Sequence, residues 1–516
     1  MTNKINVSRR HFLQKSVVLS AAGTIGAPFA LDLFRMNQAV AITGGLSDYK
    51  ALVCIYLGGG NDHNNMVLAT DTSSWQGYMK ARDTRDSNGG GSIALVKTNT
   101  YDPNVLSITP TTTQAGRTFG LHPAMLPMQS LFDTDKKAAI VANVGPLTEP
   151  IASASEYSSK TKPANLFSHS DQTAQWQTSQ ANPLYGWGGR VAQQVIGNNS
   201  KTNFTCISSS GNTLFLAGQG VNQYQVNSNG TATSIQGMTN STLYGVTVDT
   251  NTASPTYGNP LKSIITPTST NYFEIDHAAV VQRSIDARQN LTDAMAATTG
   301  IAAAPTIGTG LDTYINPLTG LAGETNPLAT QLRTVARIIS EHTALGANRQ
   351  VFYVTLGGFD THDGQANGHA VLMARLAHGM YYFHKKLESL GLSNSVTTFT
   401  SSDFGRTFAS NGDGTDHGWG AHHFVVGGAV NGGDIYGTFP MTAVTGAART
   451  VNGVSYPAFT NLLDVGSGNL VPQISVDQYA ATMAKWFGLS GDATSLDIQT
   501  VFPNLYKFTP NLLGFL

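Results

Sequence analysis

The sequence predicts an α/β protein whose mostly parallel sheet is doubly wound, with helices on both faces. Apolar runs of strand length alternate with stretches of helical period along the chain. The runs at 51–57 and 350–356 are apolar at most positions, which is typical of parallel strands buried on both sides. Both runs end in consecutive glycines, which indicates a tight turn where each strand ends.

The remaining elements follow from the same two patterns. Further strands are predicted at 137–144, 204–208, 395–400 and 424–427. Helices are predicted in pieces of 173–196, then at 272–297, 329–342 and 368–390. Residues 211–271 are rich in Asn, Thr, Ser and Gly and have no lasting period, which indicates an insertion or cap; we place the end of this looser region near residue 345.

The composition and charge give no support to binding of nucleic acid or of an anionic membrane. Charged residues make up 12% of the 516 residues, about half the usual share. The net charge of −1 gives no electrostatic reason to bind nucleic acid or an anionic membrane. Cys54 and Cys206 both lie in apolar, strand-like runs, which favours buried free thiols over a disulfide.

The N-terminus has the pattern of an export signal. The pair Arg9-Arg10 precedes an uncharged run at 16–31 and a small-residue cleavage site at 39–41. This order predicts a twin-arginine signal peptide over 1–41 and a mature domain over 42–516. The protein would then fold before the twin-arginine machinery exports it, and would be periplasmic or secreted. The apolar run is too short and too rich in Gly, Ala and Pro for a stable membrane span.

Residue types that bind metals gather next to predicted strand ends. The segments at 58–63, 357–363 and 401–406 follow strands, and the segment at 416–423 precedes one. Ligands bind beyond the carboxyl ends of strands in open α/β sheets, so these segments can converge in one crevice. Their Asp and His side chains suit Zn²⁺, Mg²⁺, Mn²⁺ or Ca²⁺. The sequence therefore predicts a divalent metal site there.

A hydroxyl-bearing segment at 167–172 stands ahead of a helical stretch. An oxyanion or phosphoryl group is favoured at a helix N-terminus, so Ser168 or Ser170 could act as a nucleophile there. Either serine could equally be the N-cap of that helix.

Five motifs together resemble one known family. Gly-Gly-Phe-Asp-Thr-His-Asp at 357–363, Ser-Asp-Phe-Gly-Arg-Thr at 402–407 and Asp-His-Gly-Trp-Gly at 416–420 resemble the exported DUF1501 proteins, members of the alkaline-phosphatase-like superfamily. The Gly-Gly-Asn-Asp at 59–62 and the Ser-His-x-Asp at 168–171 resemble family segments too.

The resemblance implies a metal-dependent hydrolase of phosphate or sulfate esters, with two neighbouring metals and a Ser, Thr or formylglycine nucleophile. Its substrate would be a small-molecule or glycan ester. The metal ligands it implies are Asp62, Asp360, His362, Asp403 and His417. The catalytic segment it implies contains Ser168, His169 and Ser170, with Arg406 as a bidentate clamp on a substrate oxygen.

The sequence also departs from the family pattern. The expected Asp-His dyad reads Asp403-Phe404, and Asp360 and His362 are two residues apart instead of four. The sulfatase nucleophile signature is absent. A one-metal site therefore stays open. So do two alternative functions: a non-catalytic exported protein that binds glycan or takes part in cell-surface assembly, and a calcium-stabilised scaffold.

Overall fold

The computed structural model describes most of the chain after residue 45. The described residues are 46–84, 92–97, 102–179, 184–228, 242–243, 246–247, 269–440, 449–451, 454–456, 462–491 and 495–516. The predicted signal peptide and much of the predicted insertion lie outside them. The chain divides into two compact units, one with residues 1–43 and 234–289 and the other with 44–233 and 290–516.

The larger unit is built on one nine-stranded sheet. Its strands are β1 (Lys50–Gly58), β2 (Ala138–Gly145), β3 (Cys206–Ser208), β4 (Gln223–Gln225), β5 (Arg349–Gly357), β6 (Val396–Ser402), β7 (Ala421–Gly427), β8 (Asp434–Tyr436) and β9 (Ile474–Ser475). Their spatial order is β8-β2-β7-β6-β1-β5-β3-β4, and β9 also pairs with β2. The six strands predicted from apolar runs are all present.

The sheet is mainly parallel, as the sequence predicts. Among the described strands of this sheet, β7 alone runs antiparallel to its neighbours, which are β6 and β2. The centre of the sheet is the parallel triplet β6-β1-β5. Strands β1 and β6 are buried along most of their length, because a central parallel strand is covered on both faces. The loops that follow these three strands leave the same edge of the sheet side by side.

Two groups of helices in the larger unit pack against the sheet. The helices are α1 (Thr72–Arg82), α2 (His169–Thr178), α3 (Trp187–Val195), α4 (Tyr272–Ala297), α5 (Pro327–Ser340), α6 (Gln365–Ser389), α7 (Val476–Phe487) and α8 (Leu496–Val501). Helices α5 and α6 pack together, as do α3, α7 and α8, and β5 contacts a member of each group. The mixed α/β class is therefore confirmed, and the doubly wound arrangement stays a prediction that these contacts support.

Shorter elements complete the described chain. One-turn helices span His63–Met66 and Leu126–Gln129, and a three-stranded sheet contains Val67–Ala69, Leu106–Ile108 and Phe119–Leu121. Two-stranded ribbons pair Arg406–Ser410 with Thr415–His417, and Arg449–Val451 with Val454–Tyr456. The smaller unit contains the pair Thr242–Leu243 and Val246–Thr247, together with the first part of α4.

Local sequence explains where the helices begin and end. Asn326 caps α5 through its side chain, and Pro327 occupies the first turn, where a missing N–H costs nothing. Ser475 and Gln478 form a reciprocal capping box at the start of α7. After α6, Gly391 takes the left-handed conformation that favours glycine.

Two features of the predicted insertion and core can be compared with the structure. Strand β4 and helix α5 fall within the predicted insertion at 211–345, yet β4 extends the main sheet and α5 packs on β5. The helix is the one predicted at 329–342, whereas β4 is not predicted because its sequence, Gln-Tyr-Gln, is polar. Cys54 and Cys206 are buried free thiols, as predicted, because both lie inside sheet strands.

Candidate functional site

Three side chains converge beyond the carboxyl edge of the central strands. Asp360 lies in the loop after β5, His169 opens α2, and His417 ends a ribbon strand. The Nε2 atoms of both histidines lie 3.5 Å from Oδ1 of Asp360. One ligand atom from each of the three lies within 4.8 Å of the others. We call these three residues the His-Asp group.

Both histidines of the group are held by their other ring nitrogen. Nδ1 of His417 is 2.7 Å from the carbonyl oxygen of Phe167, and Nδ1 of His169 is 2.7 Å from Oδ2 of Asp403. A carbonyl or carboxylate oxygen accepts, so each Nδ1 carries the proton and each Nε2 keeps its lone pair. A carboxylate or carbonyl behind a histidine is the usual arrangement around a metal-binding imidazole.

The lone pair of His169 has no partner within the described part of the chain. Its Nε2 atom is buried and has no hydrogen bond there. A buried polar atom without a partner carries a free-energy cost, which a cation at this position would remove. Two imidazoles and a carboxylate are also the donor set of catalytic zinc sites with an open fourth position. The His-Asp group therefore fits a divalent cation.

Asp403 supports the group without facing it. Its Oδ2 holds His169, while its Oδ1 accepts from the hydroxyl of Tyr56 at 2.6 Å and from the N–H of Gly59 at 3.0 Å. Both carboxylate oxygens are thus engaged. The sequence predicts Asp403 as a metal ligand, whereas the structure places it behind a histidine that reaches the group from α2.

Asp360 is held in its ionised form by Arg406. Partial burial raises the pKa of this carboxyl, but the hydrogen bond and charge of Arg406 outweigh it, so that the net pKa is lowered. The Nη1 atom of Arg406 donates to Oδ1 of Asp360 at 3.0 Å. An ionised carboxylate is the form that binds a cation.

The surroundings of Arg406 do not support its predicted role as a substrate clamp. The guanidinium is fully buried. Its Nε and Nη2 donate to Thr415, and its Nη1 donates to Gly59 and Asp360. With these donors committed, Arg406 orients Asp360 and closes the ribbon that carries His417, and it presents no free fork to a substrate.

His362 stands next to the group as the sequence predicts. Its Nε2 lies 3.2 Å from Oδ1 of Asp360 and 2.9 Å from Nε2 of His417. Its Nδ1 lies 3.4 Å from Oδ1 of Asp416. All three neighbours of His362 are acceptors: the lone pair of His417 and the carboxylates of Asp360 and Asp416. Their hydrogen bonds are satisfied if both ring nitrogens of His362 carry a proton. A cation among these atoms would satisfy them as well. His362 can therefore be a fourth ligand.

Asp62 is placed differently from its prediction as a ligand. Its two oxygens accept from Nη1 and Nη2 of Arg82 at 2.6 and 2.8 Å, and both side chains are fully buried. Burial alone raises the pKa of Asp62, but the charge and hydrogen bonds of Arg82 lower it to about 2. Gln365 donates to the same carboxylate at 2.5 Å. Asp62 is thus the anion of a buried ion pair, outside the His-Asp group.

A chain of hydrogen bonds connects that ion pair to the group. Gln365 accepts from Thr415 at 2.6 Å through its side-chain oxygen. Thr415 accepts from Arg406, and Arg406 holds Asp360. The ion pair therefore supports the position of a carboxylate in the group.

The two predicted nucleophiles lie at the start of α2. Ser168 is its N-cap residue, and its hydroxyl donates to Oδ2 of Asp171 at 2.5 Å. The hydroxyl of Ser170 lies 3.5 Å from the same oxygen. In the described part of the chain neither hydroxyl has a hydrogen bond to the His-Asp group, so the geometry supports the capping alternative for Ser168.

Phe404 takes the place of the missing dyad histidine. Its ring centroid lies 4.8 Å from that of His169 and 4.6 Å from that of His417, and the side chain is buried. The aromatic ring packs against both imidazoles and adds no ligand. A phenyl ring has no ligand atom, so this position offers nothing to a second metal. The sequence shows the change directly, because it reads Asp403-Phe404 where the family pattern has Asp-His.

Five of the other buried histidines have a strongly lowered pKa and are neutral. Burial lowers the pKa of His63, His122, His369 and His423 to about 4, 3, 4 and 3, and places that of His422 well below its usual value. Burial raises the pKa of Asp477 to about 7, which is the opposite case.

We expect these groups to make the protein sensitive to acid. Each histidine binds a proton near pH 6.5 when unfolded. In the folded protein four of them bind it only near pH 3 to 4, and His422 binds it well below its usual pH. Stability is therefore lost as pH falls from about 6.5 towards 4. The raised pKa of Asp477 acts in the opposite direction, but the effect of this one carboxyl is smaller than that of the five histidines together. Urea unfolding measured across this pH range should show a falling free energy; a flat profile would contradict the burial of neutral histidines.

Fold and site together define a class: an α/β protein with a His-Asp group at the carboxyl edge of a mainly parallel sheet, in an arrangement that fits a divalent cation. The chain belongs to the DUF1501 family, described as proteins of unknown function, whose model matches residues 49–463. The resemblance drawn from the motifs is thus confirmed at the level of the family. No curated protein matches the chain in sequence.

Two solved structures are similar at a low level. One is a Bacteroides thetaiotaomicron protein abbreviated 4S-sulf, solved in connection with glycosaminoglycan metabolism; it has 9% identity and a TM-score of 0.29, over 86% of this chain and 73% of that one. The other is the lipoteichoic acid synthase LtaP from Listeria monocytogenes, with 7% identity and a TM-score of 0.25, over 76% and 70%. We base no functional inference on either similarity.

One further observation concerns membranes. None of the helices in the described ranges is both long and apolar enough to cross one.

Proposed function

We propose that this protein is a metal-dependent hydrolase of phosphate or sulfate esters. The observation that carries the proposal is the convergence of two imidazole Nε2 atoms and one carboxylate oxygen, each fixed from behind by a hydrogen bond. When bound, a divalent cation would supply Lewis-acid polarisation of an ester oxygen. Zn²⁺ and Mn²⁺ suit this nitrogen and oxygen donor set best.

The chain's own residues would bind and orient the reactants. Asp403 and the Phe167 carbonyl hold the two imidazoles in one tautomer, so no reorganisation is needed when a cation arrives. Arg406 keeps Asp360 ionised and in place. In the overall reaction an oxygen from water bonds to phosphorus or sulfur, the bond to the alcohol oxygen breaks, and the alcohol leaves with one proton. His362, about half exposed, is placed to exchange protons or to complete the coordination.

The first test is metal content. We expect the full chain, purified folded without chelators, to contain about one equivalent of a divalent metal by plasma mass spectrometry. A chelator should remove both the metal and the hydrolysis of chromogenic phosphate and sulfate esters, and readdition should restore them. A folded protein that neither contains nor takes up metal would exclude the proposal.

Export is part of the proposal, because the twin-arginine pattern precedes the domain. Replacing Arg9 and Arg10 by lysines should retain the protein in the cytoplasm of a host with a twin-arginine pathway, since the receptor reads the arginine pair. Cell fractionation measures this. Unchanged export of the lysine variant, with the native chain as reference, would contradict the assigned signal.

One observation favours a second candidate function. Phe404 replaces a histidine of the dyad pattern and packs against both imidazoles of the group. A protein that keeps one cation and has lost turnover would serve as a binding or surface-assembly protein. Metal retention without turnover on any ester of the panel would favour this candidate.

A further inference from the structure

The candidate site is poor in positive charge. Among the described residues, Arg406 is the only arginine or lysine with a hydrogen bond or ion pair to Asp360, Asp403 or Asp416. These three carboxylates and one guanidinium give the site a formal charge of minus two at neutral pH, with the histidines neutral. A divalent cation in the His-Asp group would bring this sum to zero.

Arg406 is buried, and most of its donors are already bonded within the protein. Nε and both Nη atoms of Arg406 already donate to Thr415, Gly59 and Asp360, and its side chain is fully buried. The other nearby arginine, Arg82, is neutralised by Asp62. A dianion at the cation would therefore meet no second positive side chain.

A partial positive charge comes from α2. His169 is its first residue, and a helix N-terminus carries the equivalent of about half a positive charge. Asp171 in the first turn already takes part of this field. The remaining field suits one negative charge better than two.

The His-Asp group is open enough to admit esters with substituents of different size. The side chains of His169, Asp360 and His362 are 36%, 49% and 45% exposed. Ligand pockets that select small molecules bury most of the ligand surface, whereas Asp360 and His362 are about half exposed. An ester with a bulky or a second substituent can therefore approach.

We propose, on the basis of the proposed function, that the site selects esters with a single negative charge over dianionic phosphate monoesters. The shared chemistry is a tetrahedral phosphorus or sulfur centre with one net charge, as in a phosphodiester or a sulfate monoester. Asp416 is a specificity residue in this arrangement, because its exposed carboxylate repels a second charge from beside His362.

Binding of three small probes to the metal-loaded full chain tests this at mildly alkaline pH. Methanesulfonate mimics a sulfate monoester, methyl methylphosphonate mimics a phosphodiester, and methylphosphonate supplies the dianion. Calorimetry should show at least one singly charged probe binding on the order of tenfold more tightly than methylphosphonate. The monoanion that binds more tightly shows whether the site prefers a sulfate monoester or a phosphodiester.

Charge variants sharpen the test. Asp416→Asn should reduce the preference for the monoanion several-fold, since it removes one negative charge near the cation. Asp434→Asn is the matched control, because Asp434 is the first residue of β8 and so lies at the amino end of the strands, away from the site. The preference of this variant for the monoanion should equal that of the native chain. Tighter binding of methylphosphonate would overturn the inference and leave the hydrolase proposal standing; a metal-loaded protein that binds none of the probes would overturn both.

Discussion

The variant His417→Ala is expected to lose the bound metal, with at least a hundredfold loss of affinity. His417 supplies one of three converging ligand atoms, and alanine leaves an imidazole and a carboxylate with two open positions. The Phe167 carbonyl fixes its tautomer, so a lone pair that already points at the group is lost with the imidazole. Metal titration by calorimetry, together with hydrolysis of an ester panel, measures the effect.

A graded comparison separates ligands from the residues that orient them. Asp403→Asn keeps the volume but weakens the hold on His169, and such changes behind a ligand cost about 10- to 100-fold in metal affinity. His277→Ala, at an exposed position of α4, is the control and should bind metal like the native chain. Equal metal affinity in His417→Ala and His277→Ala would contradict the assigned site.

The variant Arg82→Met is expected to lower the free energy of unfolding by about 3 to 5 kcal/mol, because it leaves the buried carboxylate of Asp62 without its counter-ion. Arg82 also donates to the carbonyl oxygens of Phe408 and Thr407 and to the side chain of Asn65. These acceptors are buried and would lose a donor together. Urea unfolding with linear extrapolation measures the difference.

Two further variants control this result. Arg283→Met, at an exposed position of α4, should change the free energy of unfolding by no more than about 0.5 kcal/mol. The double variant Asp62→Asn with Arg82→Met should lose less than Arg82→Met alone, because the buried charge is removed with its partner. A double variant that is less stable than the single one would show that the ion pair is not the source of the loss.

Much of the fold follows from local sequence. The apolar runs of β1 and β5 and the period of α6 arise from burial patterns that the chain shows directly. Strand β4 could not be predicted in this way, because Gln-Tyr-Gln is polar and becomes a strand only by pairing with β3. Sheet extension of this kind depends on a neighbour, and the segment itself carries no periodic signal.

The sequence predicts which segments form the candidate site, but it does not predict the role of each residue as well. The motifs name Asp360, His362 and His417, which the structure brings together. The partnership of His169 with Asp403 joins distant segments through packing, which spacing does not reveal. Arg406 and Asp62 have the residue types of a clamp and a ligand, but their partners Thr415 and Arg82 commit them to the interior.

The His-Asp group draws its members from three separate parts of the sequence, around residues 169, 360 and 417. A cation held there would act as a cross-link that only the folded chain can form, and would shift the folding equilibrium by mass action. At a free concentration a hundred times the dissociation constant this shift is about 2.7 kcal/mol. The apparent stability of the protein would then report the metal supply of the compartment in which it folds.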